Sequence, residues 1–142
     1  MTYDQEGDGD IDLVLGDISF TCLNQLVNGG SSNFAWMTEQ DVSFPSYSTP
    51  VDLVIYPAAF YLDLNNDGRN DMVVAPNNKF TNEDRKGVWY YENTANTGHH
   101  FELNRKNFLS GDMIDLGSGS HPALVDVNAD GLLDIVVGNY GF

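Results

Sequence analysis

The chain has 142 residues, a formal net charge of −15 from 21 acidic and 6 basic side chains, and a single cysteine. That length can bury one good core, and the lone Cys22 excludes an internal disulfide. So acidic a surface argues against nucleic acid, which is held by clustered Lys and Arg, and no apolar run approaches the roughly 18 residues that span a membrane. The opening MTYDQEGDG does not have the pattern of a signal peptide.

In chain order, Thr2 and Tyr3 read as the end of a first strand and residues 11–15 as a second. Residues 19–27, SFTCLNQLV, alternate as a third strand and place Cys22 in a buried setting. Asn28-Gly29-Gly30 signals a turn, residues 34–37 an outer strand with Trp36 as a packing residue, and residues 41–50 a connector. Residues 51–55 are apolar enough for an extra strand. Residues 58–62 and 71–75 pair across an acidic loop, and the polar 76–86 reads as a surface excursion of the kind that carries recognition.

GVWYYE at residues 87–92 predicts a further strand with Trp89 and Tyr91 on one face and Tyr90 on the other. Core packing is the simpler reading of these rings, and a sugar-stacking platform the alternative. Residues 93–98 turn the chain and residues 101–103 begin an outer strand. Residues 108–116 and GSGSHP make a connector to a final strand pair around residues 123–138. Leu124, Val125, Ile135, Val136 and Val137 put apolar groups on both faces of that pair, as in strands sandwiched between sheets.

Three loops carry oxygen donors at every second place. They are Asp4, Glu6, Asp8, Gly9, Asp10, Asp12; Asp63, Asn65, Asp67, Gly68, Arg69, Asp71; and Asp126, Asn128, Asp130, Gly131, Leu132, Asp134. Counting the first Asp as position 1, side chains at 1, 3, 5 and 9 and the backbone carbonyl at 7 (Asp10, Arg69, Leu132) can wrap a hard cation, while Gly at 6 takes the sharp turn. Oxygen ligands without His or Cys favour calcium, so up to three Ca2+ ions are expected. The loops hold eleven of the 21 acids and one Arg, so most of the acidity is local to them. An EF-hand would need Glu at position 12, where this chain has Leu15, Val74 and Val137, and the β-branched runs after the loops predict strands and not helices.

YDQEGDGDIDLVLG, YLDLNNDGRNDMVVA and LVDVNADGLLDIVVG resemble the FG-GAP or VCBS-type calcium-loop repeats of integrin alpha-like β-propellers and of large secreted bacterial proteins. The resemblance implies an all-β fold of four-stranded antiparallel blades, with a calcium loop between the first and second strands of each. The chain would then be a partial propeller of about two and a quarter blades, roughly residues 1–50, 51–117 and 118–142. It also implies a secreted or cell-surface adhesion or interaction protein with calcium as a structural ion, an unknown protein or glycan as ligand, and no catalytic residues. Glu6 departs from the shorter Asp or Asn at position 3. Incomplete blades would favour self-association.

Two other chemistries fit the residues less well. Clustered Asp residues can serve a glycosidase, and some polysaccharide lyases resemble this repeat family, but here the carboxylates stand in metal-ligand order and the chain is short of Lys, Arg and His. Ser120-His121 are neighbours in sequence only, which is no triad, and His99 and His100 read as turn residues before metal ligands.

Overall fold

The structure is a computed structural model describing residues 1–78, 85–114, 116 and 118–140. The described residues form an all-β chain with one turn of 3-10 helix at Ser110–Asp112. The strands are β1 Thr2–Tyr3, β2 Asp12–Gly16, β3 Leu23–Asn28, β4 Met37–Phe44, β5 Pro57–Leu62, β6 Asp71–Pro76, β7 Trp89–Asn93, β8 Phe101–Arg105, β9 His121–Val125 and β10 Asp134–Gly138. They make a four-stranded sheet in the order β1-β2-β3-β4, a second in the order β5-β6-β7-β8, and a two-stranded β9-β10 hairpin, antiparallel throughout. None of these sheets closes into a barrel. Two compact units result, Met1–Gly111 with the two larger sheets and Asp112–Phe142 with the hairpin.

Within the first unit the core lies between the two sheets. Tyr3, Val14, Leu23 and Phe44 come from one sheet, and Met72, Val74, Trp89, Tyr91 and Phe101 from the other. Alternation explains the choice, because Val14 faces inward while its neighbours Leu13 and Leu15 do not, and Met72 and Val74 do the same on β6. A fully buried side chain of this kind contributes about 1.5–3 kcal/mol. Trp89 and Tyr91 share the core face and Tyr90 points the other way, packing on Phe108 with 5.3 Å between ring centroids, as the strand period predicts. The rings of β7 are therefore core, not a sugar platform.

Gly16 lets the two sheets meet. A Cβ there would lie 1.8 Å from the carbonyl oxygen of Pro57, the first residue of β5. The link between β4 and β5 is tied down by Val51 N–H to Phe44 O (3.3 Å), Leu53 N–H to Thr21 O (2.9 Å) and Tyr91 Oη–H to Thr49 O (3.0 Å).

The structure corrects several sequence expectations. The outer strand is not 34–37 but Met37–Phe44, running into the expected connector and ending on a fully buried Phe44. Trp36 is 63% exposed and stacks on exposed Phe34 in the β3–β4 loop, so it is no packing residue of the core. Residues 51–55 form no strand; Val51 and Leu53 enter the core from irregular backbone. The third strand starts at Leu23 because Asp17 holds a turn, accepting Ser19 N–H on its side chain (2.7 Å) and Phe20 N–H on its carbonyl (3.4 Å). Cys22 accordingly precedes the strand and is half-buried. His121, assigned to a connector, opens β9 and pairs with Gly138. Of the surface excursion expected at 76–86, residues 79–84 lie outside the described residues.

Candidate metal centre

Each acidic loop joins the first two strands of its sheet: Asp4–Asp12 between β1 and β2, Asp63–Asp71 between β5 and β6, Asp126–Asp134 between β9 and β10. Position 6 is a positive-φ glycine in all three, Gly9 (92°), Gly68 (86°) and Gly131 (88°). Position 4 is left-handed too, at Gly7 (78°), Asn66 (59°) and Ala129 (60°). Two left-handed residues two places apart coil the backbone so that its N–H groups point at the loop's own carboxylates. The first carboxylate accepts the position 6 N–H in every loop: Gly9 to Asp4, Gly68 to Asp63 and Gly131 to Asp126, at 2.9, 3.0 and 2.9 Å. It also accepts the position 5 N–H, from Asp8, Asp67 and Asp130, at 3.2, 3.2 and 3.1 Å. The fifth-position carboxylate accepts the N–H of position 7, from Asp10, Arg69 and Leu132. The ninth accepts that of position 2: Gln5 to Asp12, Leu64 to Asp71 and Val127 to Asp134. One hydrogen-bond plan thus serves three sequences.

The ninth residue also ties the loop to its sheet. Asp12 and Asp71 are fully buried, and each accepts a third-strand backbone N–H at 2.8 Å, from Asn28 and from Asn93. Those asparagines cap the next hairpin. Asn28 Oδ1 accepts the N–H groups of Gly30 and Trp36, and Asn93 Oδ1 those of Ala95 and His100. Asp71 further accepts the Tyr90 hydroxyl at 3.1 Å. Sequence reading missed the paired Asn28 and Asn93, although the two repeats place Asn at the same register at the end of the third strand.

The loops differ in charge. In the first, carboxylate oxygens of Asp4, Glu6 and Asp12 lie within 4.8 Å of one another, so the longer Glu6 reaches the same centre as the Asp residues. Asp10 is only 2% exposed and neither of its carboxylate oxygens has a hydrogen-bond partner. Burial pushes its carboxyl above the usual carboxylate range, as do the carboxylates of Asp8, Asp12 and Asp4 around it. Burial and then Asp12 likewise push Glu6 up. The position 7 residue, expected to offer a carbonyl, also carries a buried carboxylate, whose oxygens are not among those of Asp4, Glu6 and Asp12 that lie within 4.8 Å of one another.

In the second loop the Arg69 guanidinium contacts Asp67 Oδ2 at 2.6 Å and the Asn65 amide donates to the same oxygen at 3.0 Å. The Arg69 N–H, then the Asn65 amide and the guanidinium, hold Asp67 below the usual range. In the third, the Leu132 N–H and then the Asn128 amide do the same for Asp130, and Asp134 is half-exposed. A cation relieves mutual repulsion most in the first loop, where two carboxylates about 4 Å apart repel by roughly 4 kcal/mol at an effective dielectric of 20. The donor set, all oxygen, suits calcium.

The other candidates fall elsewhere. His99 Nε2 contacts the Tyr61 hydroxyl and its ring meets Tyr3 edge-on, so it packs between the sheets. His100 stacks on Tyr47 with 4.6 Å between centroids and lies 3.5 Å from Glu102. Among the described residues, the carboxylates of the first loop form the one grouping of three His, Cys, Asp or Glu side chains close enough to share an ion. Beside the first sheet a cavity of about 430 Å³ is lined by Ile11, Asn28, Ser31, Asn33 and Phe34 among others. Among the described residues no helix is long and apolar enough to cross a membrane.

Comparison with curated proteins and with solved structures returns no match. A family model described as an FG-GAP-like repeat matches residues 63–137, from Asp63 at the start of the second loop to the strand that follows the third. That span is more than half of the chain, and together with antiparallel sheets that each carry the same acidic loop between their first two strands, it settles the family: the chain belongs to the FG-GAP-like repeat family.

Proposed function

We propose that the chain is a calcium-binding, non-enzymatic β-propeller module of a secreted or cell-surface adhesion or interaction protein, comprising about two and a quarter blades. The observation that carries this is the first loop, where carboxylate oxygens of Asp4, Glu6 and Asp12 converge within 4.8 Å, in a loop that also holds a buried Asp10 without a hydrogen-bond partner. Such a group is unfavourable without a countercharge. Asp4, Glu6, Asp8 and Asp12 would hold the ion there; Asp63, Asn65, Asp67 and Asp71 in the second loop; and Asp126, Asn128, Asp130 and Asp134 in the third. The carbonyls of Asp10, Arg69 and Leu132 would complete the shells. A bound ion neutralises the loop and fixes its hairpin.

The protein's own residues transmit that order. Asp12 and Asp71 connect loop to third strand, and Asn28 and Asn93 connect third strand to the next hairpin. Ligand recognition on neighbouring surface loops follows from such a frame. Melting the chain in calcium and in EGTA tests the reading. Calcium should raise the melting temperature by several degrees, and an unchanged melt contradicts it.

A second reading is favoured by one observation, the exposed Phe34–Trp36 stack (centroids 6.5 Å apart, planes 15° apart) beside the cavity lined by Asn28, Ser31 and Asn33. Apolar rings next to amide and hydroxyl groups suit a glycan. The parent would then be a carbohydrate-binding or polysaccharide-active protein, and loss of glycan binding in Trp36→Ala with an unchanged melt would support this reading over the first.

A further inference from the structure

The three loops share a backbone plan but carry different side chains at position 7, and each side chain lies in a different electrostatic relation to the fifth-position carboxylate. Asp10 is buried with neither carboxylate oxygen hydrogen-bonded, in a loop whose other acids are Asp4, Glu6, Asp8 and Asp12. Arg69 turns back onto Asp67, its guanidinium 2.6 Å from Oδ2. Leu132 is exposed and brings no charge.

Resting on the calcium reading above, we propose that the position 7 side chain sets each loop's affinity. Asp10 adds a fifth, buried negative charge to the four carboxylates of its loop, Arg69 is an internal countercharge that competes with the ion for Asp67, and Leu132 does neither. The first loop then presents five carboxylates and no base, the third three carboxylates, and the second three carboxylates offset by one guanidinium. Calcium affinity in oxygen-ligand loops rises with the number of charged ligands and with how far the shell is formed beforehand. The order of filling is therefore first loop, third loop, second loop. Arg69 also holds Asp67 Oδ2 together with the Asn65 amide, so an ion entering the second loop must displace two donors from that oxygen.

The test is a calcium titration of the full chain, ¹⁵N-labelled and stripped with EGTA, followed at the Gly9, Gly68 and Gly131 amides. Each of these donates to the first carboxylate of its own loop, so each reports one site. The proposal expects Gly9 to respond at the lowest calcium, then Gly131, then Gly68. Asp10→Asn should raise the Gly9 midpoint by roughly tenfold or more, and Arg69→Leu should lower the Gly68 midpoint by a similar factor, leaving the other sites where they were. Coincident midpoints, or midpoints that neither variant moves, overturn the proposal while leaving the loops as calcium sites. If none of the three amides responds up to about 10 mM calcium, a concentration above the range of extracellular modules, the calcium reading falls and this proposal with it. Should Asp10→Asn fail to fold, Arg69→Leu, at a partly exposed side chain in another loop, decides the matter alone.

Discussion

Asp71, the last acid of the second loop, accepts the backbone N–H of Asn93 at 2.8 Å, twenty-two residues away at the end of the third strand of its sheet. The bond makes Asp71 a hub, since it also takes the Leu64 N–H and the Tyr90 hydroxyl. Asp71→Ala would leave those three donors without their acceptor in a buried place, at about 1–3 kcal/mol each where water cannot replace it. We expect a loss of about 3–5 kcal/mol by chemical denaturation, in EGTA as well as in calcium. A loss seen only in calcium would mean that Asp71 acts through the ion and not as a hub.

Gly16 should be intolerant of any side chain. The Cβ of Gly16→Ala would meet backbone at Pro57, which a rotamer change cannot relieve, so the two sheets must separate or β2 must shift. The expected cost is about 3 kcal/mol, with loss of the core contacts seen as a red shift in Trp89 fluorescence. Gly138→Ala, where a Cβ meets nothing, is the control.

Position 4 of the loops predicts two substitutions of opposite sign. Ala129 stands at φ 60° and Asn66 at φ 59°, where a Cβ costs about 1–2 kcal/mol unless the residue is Asn or Gly. Ala129→Gly should make the third loop easier to order, read as slower amide exchange at Gly131. Asn66→Ala should destabilise the first unit by about 1 kcal/mol. Equal effects from both changes would contradict this account of the loop backbone.

The buried tyrosines set an alkaline limit. Burial pushes the phenols of Tyr3, Tyr90 and Tyr91 upward, helped at Tyr90 by the Asp71 carboxylate and at Tyr3 by Tyr47 and Asp12. Folded values above the ordinary value of about 10 mean that the native state holds these protons more tightly than the unfolded chain. Stability is therefore fully present below about pH 10 and falls as pH rises beyond it. Urea midpoints measured between about pH 8 and 12 should fall over the upper part of that range; a flat profile would show that these phenols are not buried in solution.

Much of this fold is legible in the sequence because the loops are. Alternating acids with Gly at position 6, followed by LVLG, MVVA or IVVG, locate the first two strands of each sheet. GVWYYE gives away its two faces by period alone. What is not legible follows from two physical causes. β4, MTEQDVSF, is an edge strand with only Phe44 buried, so it carries no alternation to detect. Val51 and Leu53 are apolar without being strand, because two backbone bonds to Phe44 and Thr21 hold an irregular segment over the core. In the loops, Gly7 and Asn66 hint at a second left-handed position, but Ala129 conceals it. Asp10 reads as a carbonyl donor from its place in the pattern, and nothing in the sequence shows that its carboxylate is buried without a hydrogen-bond partner.

Equilibrium dialysis reads the proposed calcium binding of these loops without any intermediary. The EGTA-stripped chain, dialysed against calcium in the millimolar range, should retain one ion per loop, and Asp4→Asn, Asp63→Asn and Asp126→Asn together should abolish the binding while the sheets persist by circular dichroism. A chain that retains no calcium, or retains as much after those three substitutions, contradicts the proposal.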